Sequence, residues 1–164
     1  MGRNRTQPIS SPHRCLIAGN YCHDVLIRDC VVLAEMLGGA ASFISNMFDD
    51  VSVSYNLVSK VRSDFAYSVH RDPIVVSDCR TTLSHAHFDS GIEGEGQQDR
   101  VLKRVDCDPI CPSDLPESRF ELGMAIGVGG KIMVETVENW WRFAALCLWT
   151  FKLCFGFLMG LMGL

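Results

Sequence analysis

Residues 31–59 constrain this chain more than any other stretch. Val31 to Leu37 is a mostly apolar run that stops on Gly38-Gly39. Ala40 to Phe48 (AASFISNMF) follows, with Ala40, Phe43, Ile44 and Met47 at helical spacing, and Asp49-Asp50 ends it. Val51 to Ser59 (VSVSYNLVS) then alternates and is β-branched, the grammar of a strand. A strand, a helix and a second strand joined by short turns call for a sheet covered by helices, which is an α/β architecture.

The rest of the chain extends that pattern. Arg14 to Ala18 is a short apolar strand stopped by Gly19-Asn20, and Val25 to Ile27 is a second extended piece. Ser63 to Val69 is expected to form a short helix. Thr81 to Asp89 (TTLSHAHFD) alternates strictly, Arg100 to Val105 is a strand able to pair with it, and Gly91 to Gly96 lies between them like a hairpin loop. Pro109, Pro112 and Pro116 punctuate a loop, and Phe120 to Ile126 is a further core strand ended by Gly127-Val128-Gly129-Gly130. Lys131 to Asn139 starts a helix. The expected fold is an open, Rossmann-like α/β sheet with helices and a small β insertion. The 164 residues, 48% hydrophobic, suffice for one modest core.

Charge and cysteine usage exclude several classes. The formal net charge is −4 and there is no basic stripe, which argues against a nucleic-acid partner. Arg3 and Arg5 are followed by no apolar stretch, so residues 1–13 read as a disordered leader rather than a signal peptide. Eight cysteines are present without a single Cys-x-x-Cys pair, so no structural zinc site is expected. They read as reduced thiols of a cytoplasmic protein.

Two local features carry chemistry. Gly19-Asn20-Tyr21-Cys22-His23-Asp24 follows the first strand, where open α/β sheets bind ligands. A carboxylate such as Asp24 accepts two hydrogen bonds from neighbouring hydroxyls, which suits a polyol; a solvated loop aspartate is the plain alternative. Gly38-Gly39 lets backbone approach a ligand or bend as a hinge, and the helix after it offers free N–H donors; a simple turn is the plain alternative. Two other patterns are decoys. His85-x-His87-x-Asp89 places three candidate metal ligands on one strand face with no further ligand nearby, and so reads as exposed strand polarity. Gly127-Val-Gly-Gly-Lys131 lacks the spacing and the hydroxyl of a P-loop.

Four strings taken together resemble a known family. They are Cys15-Leu-Ile-Ala-Gly-Asn-Tyr-Cys-His-Asp-Val-Leu-Ile, Leu37-Gly-Gly-Ala-Ala-Ser-Phe-Ile-Ser-Asn, Asp99-Arg-Val-Leu-Lys-Arg-Val and Gly123-Met-Ala-Ile-Gly-Val-Gly-Gly. Their order closely resembles the inositol-kinase branch of the PfkB (ribokinase-like) carbohydrate kinases, over about Cys15 to Asn139. The resemblance implies that residues 14–139 are the N-terminal part of the kinase domain, with a β lid at about 70–106. It implies that Asp24 and Asn20, with Gly38 and Gly39 at the lid hinge, bind the hydroxyls of myo-inositol or a related polyol. ATP and Mg2+ serve the full-length family. The Gly-Ala-Gly-Asp motif that supplies the base and anion hole there is absent from this sequence, so no catalytic or nucleotide-binding residue is expected in it and it should not act as a kinase.

After Asn139 the texture changes. Residues 140–164 open with Trp140-Trp141-Arg142 and run apolar to Leu164, with Lys152 the only charge from Phe143 onward. Taken literally this is an apolar C-terminal helix long enough for a membrane anchor, with Gly156 and Gly160 as a Gly-x-x-x-Gly. That reading makes the protein a membrane-tethered, non-catalytic binding protein. Read one base out of frame, however, ordinary codon choices turn the tail into Met-Val-Glu-Ile-Cys-Gly-Val-Val-Phe-Val-Asp-Ile-Gln-Ala-Leu, the strand with which the family resemblance would continue. A change of frame at Trp140 is therefore the favoured expectation, and a product without function is the third.

Overall fold

The computed structural model describes residues 15–77, 80–88, 101–128, 132–142, 144–153 and 156–163. Its centre is β1 (Cys15–Ala18), four residues that are all buried. β1 is flanked in parallel by β4 (Tyr55–Val58) and by β9 (Phe120–Val128). β10 (Ala144–Leu153) continues the sheet parallel to β9, and β11 (Gly156–Gly163) closes that side antiparallel, giving the order β11-β10-β9-β1-β4.

Both faces of this sheet are covered, which is why β1 reads as an unbroken apolar run rather than an alternating one. Cys15 and Ile17 face α1 (Ala40–Asp50), packing with Tyr21, Ala41, Tyr55, Leu57, Val61 and Ile126. Leu16 and Ala18 face the other way, against Ile110, Leu115, Phe120, Ile132, Trp140 and Ala144. The second cover includes α2 (Val134–Glu138), whose Thr136 is fully buried and donates its hydroxyl to the Ile110 carbonyl at 3.1 Å.

A second sheet stands beside the first. It contains the hairpin of β2 (Cys22–Arg28) and β3 (Val31–Gly38), with β7 (Thr82–Phe88) parallel to β2 and β8 (Val101–Val105) antiparallel to β7, in the order β3-β2-β7-β8. The expected pairing of the two later strands is present, and the β2–β3 hairpin joins them in the same flap. Two short parallel strands, β5 (Lys60–Arg62) and β6 (Ile74–Val76), link the core to this flap.

Four expectations need correction. The apolar C-terminal helix is instead β10 and β11. The open edge of β9 offers hydrogen-bond partners from Ala144 to Lys152, and an apolar run fits a strand as well as it fits a helix. Among the described residues no helix is long and apolar enough to cross a membrane. Residues 63–69 form a turn and extended chain rather than a helix; Phe65 and Val69 both pack on the α1-side core, a spacing that mimics a helical stripe. On α1 itself, Phe43 and Met47 are 75% and 58% exposed, while Ala41, Ser42 and Ser45 are buried. The helix after β9 is shorter than expected, running from Val134 to Glu138 before a 3-10 turn at Trp140–Arg142. The loop Gly91 to Gly96, Asp89 and Lys131 lie outside the described residues.

Candidate functional site

The turn after β1 and the Gly38-Gly39 turn meet at the C-terminal end of the core sheet, where the flap begins. Gly39 caps α1 with φ +93°, a conformation that strains any residue with a Cβ. A Cβ there would also sit 2.6 Å from the Asn20 carbonyl oxygen. Gly38 is tight for a different reason: a Cβ on it would run into the Asp24 carboxylate. Cys22 pairs with Gly38 and Asp24 with Met36 across the β2–β3 hairpin, so the aspartate leans back over the glycine. Ser42, on the first turn of α1, fixes this turn by placing its hydroxyl 3.1 Å from the Gly38 carbonyl and 2.9 Å from the Gly39 carbonyl.

Asp24, Gly38 and Gly39 are thus brought together, with the backbone of Asn20 against them. Asp24 is half-buried. Across the sheet its register partner on β7 is Ser84, a hydroxyl on the same face that sequence reasoning did not single out. The Asn20 side chain goes elsewhere. It is 3% exposed, its Oδ1 accepts the Lys60 N–H at 2.8 Å, and its Nδ2 donates to the Asp108 carbonyl at 3.4 Å. Both ends of that amide are committed to backbone, so Asn20 ties the β1 turn to the start of β5 and to the loop before Pro109.

The neighbouring strand positions point to the opposite face of the flap. There His23 Nε2 lies 3.1 Å from Glu35 Oε2, and Tyr67 packs edge-on against the His23 ring. His23 and Leu83, with Asp64, Phe65, Tyr67 and Thr81, line a cleft of about 270 Å³. Asp24, Asn20, Gly38 and Gly39 do not line it. Burial first, then the negative charges of Glu35 and Asp24, raises the Tyr67 phenol, which marks this end of the flap as electronegative. His85 and His87 do share a face, their rings edge to face with centroids 6.1 Å apart.

Beneath the Asn20 bridge lies a polar cluster that composition gave no hint of. The Lys60 side chain is 8% exposed, and its Nζ reaches Asp114 Oδ2 at 2.7 Å, the Pro109 carbonyl at 3.0 Å and Cys111 Sγ at 3.5 Å. Asp114 Oδ2 also accepts the Cys111 N–H at 2.7 Å and faces its Sγ at 2.9 Å. Burial disfavours the Lys60 charge, yet Asp114 and Cys111 outweigh it and raise the ammonium above its ordinary value. Burial likewise opposes the Asp114 charge, and the Cys111 and Lys60 hydrogen bonds outweigh it and hold the carboxyl below its ordinary range.

The chain is similar to several known proteins. Inositol 3-kinase of Arabidopsis thaliana is 63% identical over 127 residues, covering 77% of this chain and 36% of that protein. Inositol 3-kinase of Oryza sativa subsp. japonica is 46% identical over 140 residues, covering 80% of this chain and 34% of its own. The chain therefore spans about a third of the length of the curated relatives it matches. No family model matches it. Among solved structures, a probable sugar kinase from Rhizobium etli CFN 42 superposes with a TM-score of 0.58 at 15% identity, over 80% of this chain and 52% of that one. A pyrophosphate-dependent kinase in the ribokinase family, complexed with a pyrophosphate analog and myo-inositol, gives 0.52 at 13% identity, over 81% and 47%. Ribokinase from Cryptococcus neoformans var. grubii serotype A in complex with ADP gives 0.54 at 12%, over 80% and 47%. With the flap and the parallel core sheet in place, the chain has the fold of ribokinase-like kinases and is similar in sequence to about a third of the length of the plant inositol 3-kinases.

Proposed function

We propose that this chain is the polyol-recognising part of an ATP-dependent inositol kinase and does not transfer phosphate by itself. The observation that carries the reading is the Asp24 carboxylate held over the Gly38-Gly39 turn, beside a helix N-terminus and opposite Ser84. A carboxylate there accepts hydrogen bonds from two adjacent hydroxyls, and glycine backbone lets a ring approach closely. The inositol 3-kinase relatives and the myo-inositol complex of the ribokinase-family neighbour support a polyol as the ligand. Within it, Asp24, Gly38 and Gly39 line the polyol pocket, and Asn20 positions the turn that they share. In the whole enzyme ATP, with Mg2+, is the donor, in keeping with the ADP bound by the ribokinase neighbour.

Phosphoryl transfer needs a base, donors for the developing negative charge and a nucleotide site. The 164 residues contain no Gly-Ala-Gly-Asp, and the chain spans 36% of its Arabidopsis relative. Purified protein incubated with γ-labelled ATP, Mg2+ and myo-inositol is expected to release no labelled inositol phosphate above a heat-denatured control. Transfer above that control would overturn the non-catalytic half of the proposal.

A further inference from the structure

The exposed apolar residues of α1 form a line. Phe43, Met47 and Val51 follow one another at four-residue spacing, so they make one stripe along the helix, and all three are exposed. The opposite flank of α1 is polar and occupied. Asp49 accepts the Tyr55 hydroxyl at 2.9 Å and lies 3.1 Å from His70 Nδ1, and Asn46 lines the same small cleft. Arg71 lies over the Tyr55 ring at 4.6 Å, so residues 68–71 fold over the β4 side of the helix. In the sheet, β4 and β9 lie on opposite sides of β1, and the apolar stripe therefore borders β9. There Leu122 and Met124 face the α1 side and are half-buried, whereas Gly123 and Ala125, facing the other way, are buried. A helix with its side chains is about 10 Å across and strands lie about 4.8 Å apart, so α1 alone covers about two strands. Among the described residues, α1 is the only helix that joins this side of the core.

We propose that the groove between the Phe43–Met47–Val51 stripe and the Leu122–Met124 face of β9 is a docking surface for the remaining part of an inositol kinase, supplied as a separate chain. The occupant is a helix that seats its apolar face between α1 and β9. Parallel strands persist in sheets covered on both faces, and on the α1 side the cover thins at β9. The length of the relatives says what completes it, because about two-thirds of the Arabidopsis inositol 3-kinase lies outside the match. β10 and β11 occupy the free side of β9, so the partner meets this chain by helix-in-groove contact and not by adding a strand to β9. Docking of this kind rests on the similarity to the inositol 3-kinases and is independent of polyol binding through Asp24.

The test co-expresses the full chain, carrying an affinity tag, with the part of the Arabidopsis inositol 3-kinase that lies outside the match, and recovers both through the tag. Near-equimolar recovery is expected. Met47→Glu and Val51→Lys each place a charge in the apolar contact and should lower the recovered partner about tenfold. Both positions are exposed in the chain alone, so neither substitution should move its urea midpoint. Val75→Glu, at an exposed position on β6, should leave recovery unchanged. No recovery of the partner with the unmodified chain would overturn the proposal, and so would recovery that Met47→Glu and Val51→Lys leave unchanged. Self-association of the tagged chain in place of partner recovery, lost in the same two variants, would give the groove to a second copy and overturn it too.

Discussion

The Asp24 carboxylate fills the space that a methyl group on Gly38 would need. Gly38→Ala must therefore push the aspartate off its position or open the β2–β3 hairpin, at an expected cost of about 1–3 kcal/mol in urea unfolding. Asn20→Ala strands the buried Lys60 N–H and takes the amide donor from the Asp108 carbonyl, and should cost about 1–3 kcal/mol by the same measurement. The pair of Lys60 and Asp114 sets a pH dependence. Asp114 is held below its ordinary 3.8, so its contribution is complete above that pH and lost as pH falls through the folded value. Lys60 is raised above 10.5, so its contribution is complete below that pH and lost only as pH rises through the higher folded value. The urea midpoint should be insensitive to this pair between about pH 5 and 9 and fall on the acid side below 3.8, with a shallower acid-side fall in Asp114→Asn. Equal acid-side slopes in the two proteins would contradict the assignment.

Elements show why some of this was legible in the sequence and some was not. β1, β9 and the Gly-Gly turn were readable because a short apolar run ended by glycine is a local signal; Asp24, expected in the loop past the first strand, lies instead within β2. The role of Asn20 was not, because its partners Lys60 and Asp108 lie 40 and 88 residues away along the chain. The buried face of α1 was misjudged because hydropathy does not count Ser42 and Ser45 as core. Each bonds a carbonyl of its own turn, Ser45 that of Ser42 at 2.9 Å, and so goes inside without an unpaired hydroxyl. The tail was misjudged because a long apolar run is equally good grammar for a strand. β10 pairs with β9 in parallel register through Leu146↔Leu122 and Thr150↔Ile126, which predicts slowed amide hydrogen exchange across residues 146–152. Exchange there as fast as in a free peptide would contradict the pairing. Trp140, 2% exposed in the core against Gly123, should cost about 3–5 kcal/mol on truncation to Ala.

At the scale of the molecule, the chain presents a core sheet and a flap, with Gly38 and Gly39 between them. We propose that this part recognises a polyol through Asp24. Ligand-observed NMR of myo-inositol titrated with the purified chain measures that most directly. Weak saturable binding, roughly millimolar, is expected. Asp24→Asn, which removes charge-assisted hydrogen bonds while keeping the size of the side chain, should weaken it about tenfold or more. Binding that is absent from the folded chain, or that Asp24→Asn leaves unchanged, would contradict the claim.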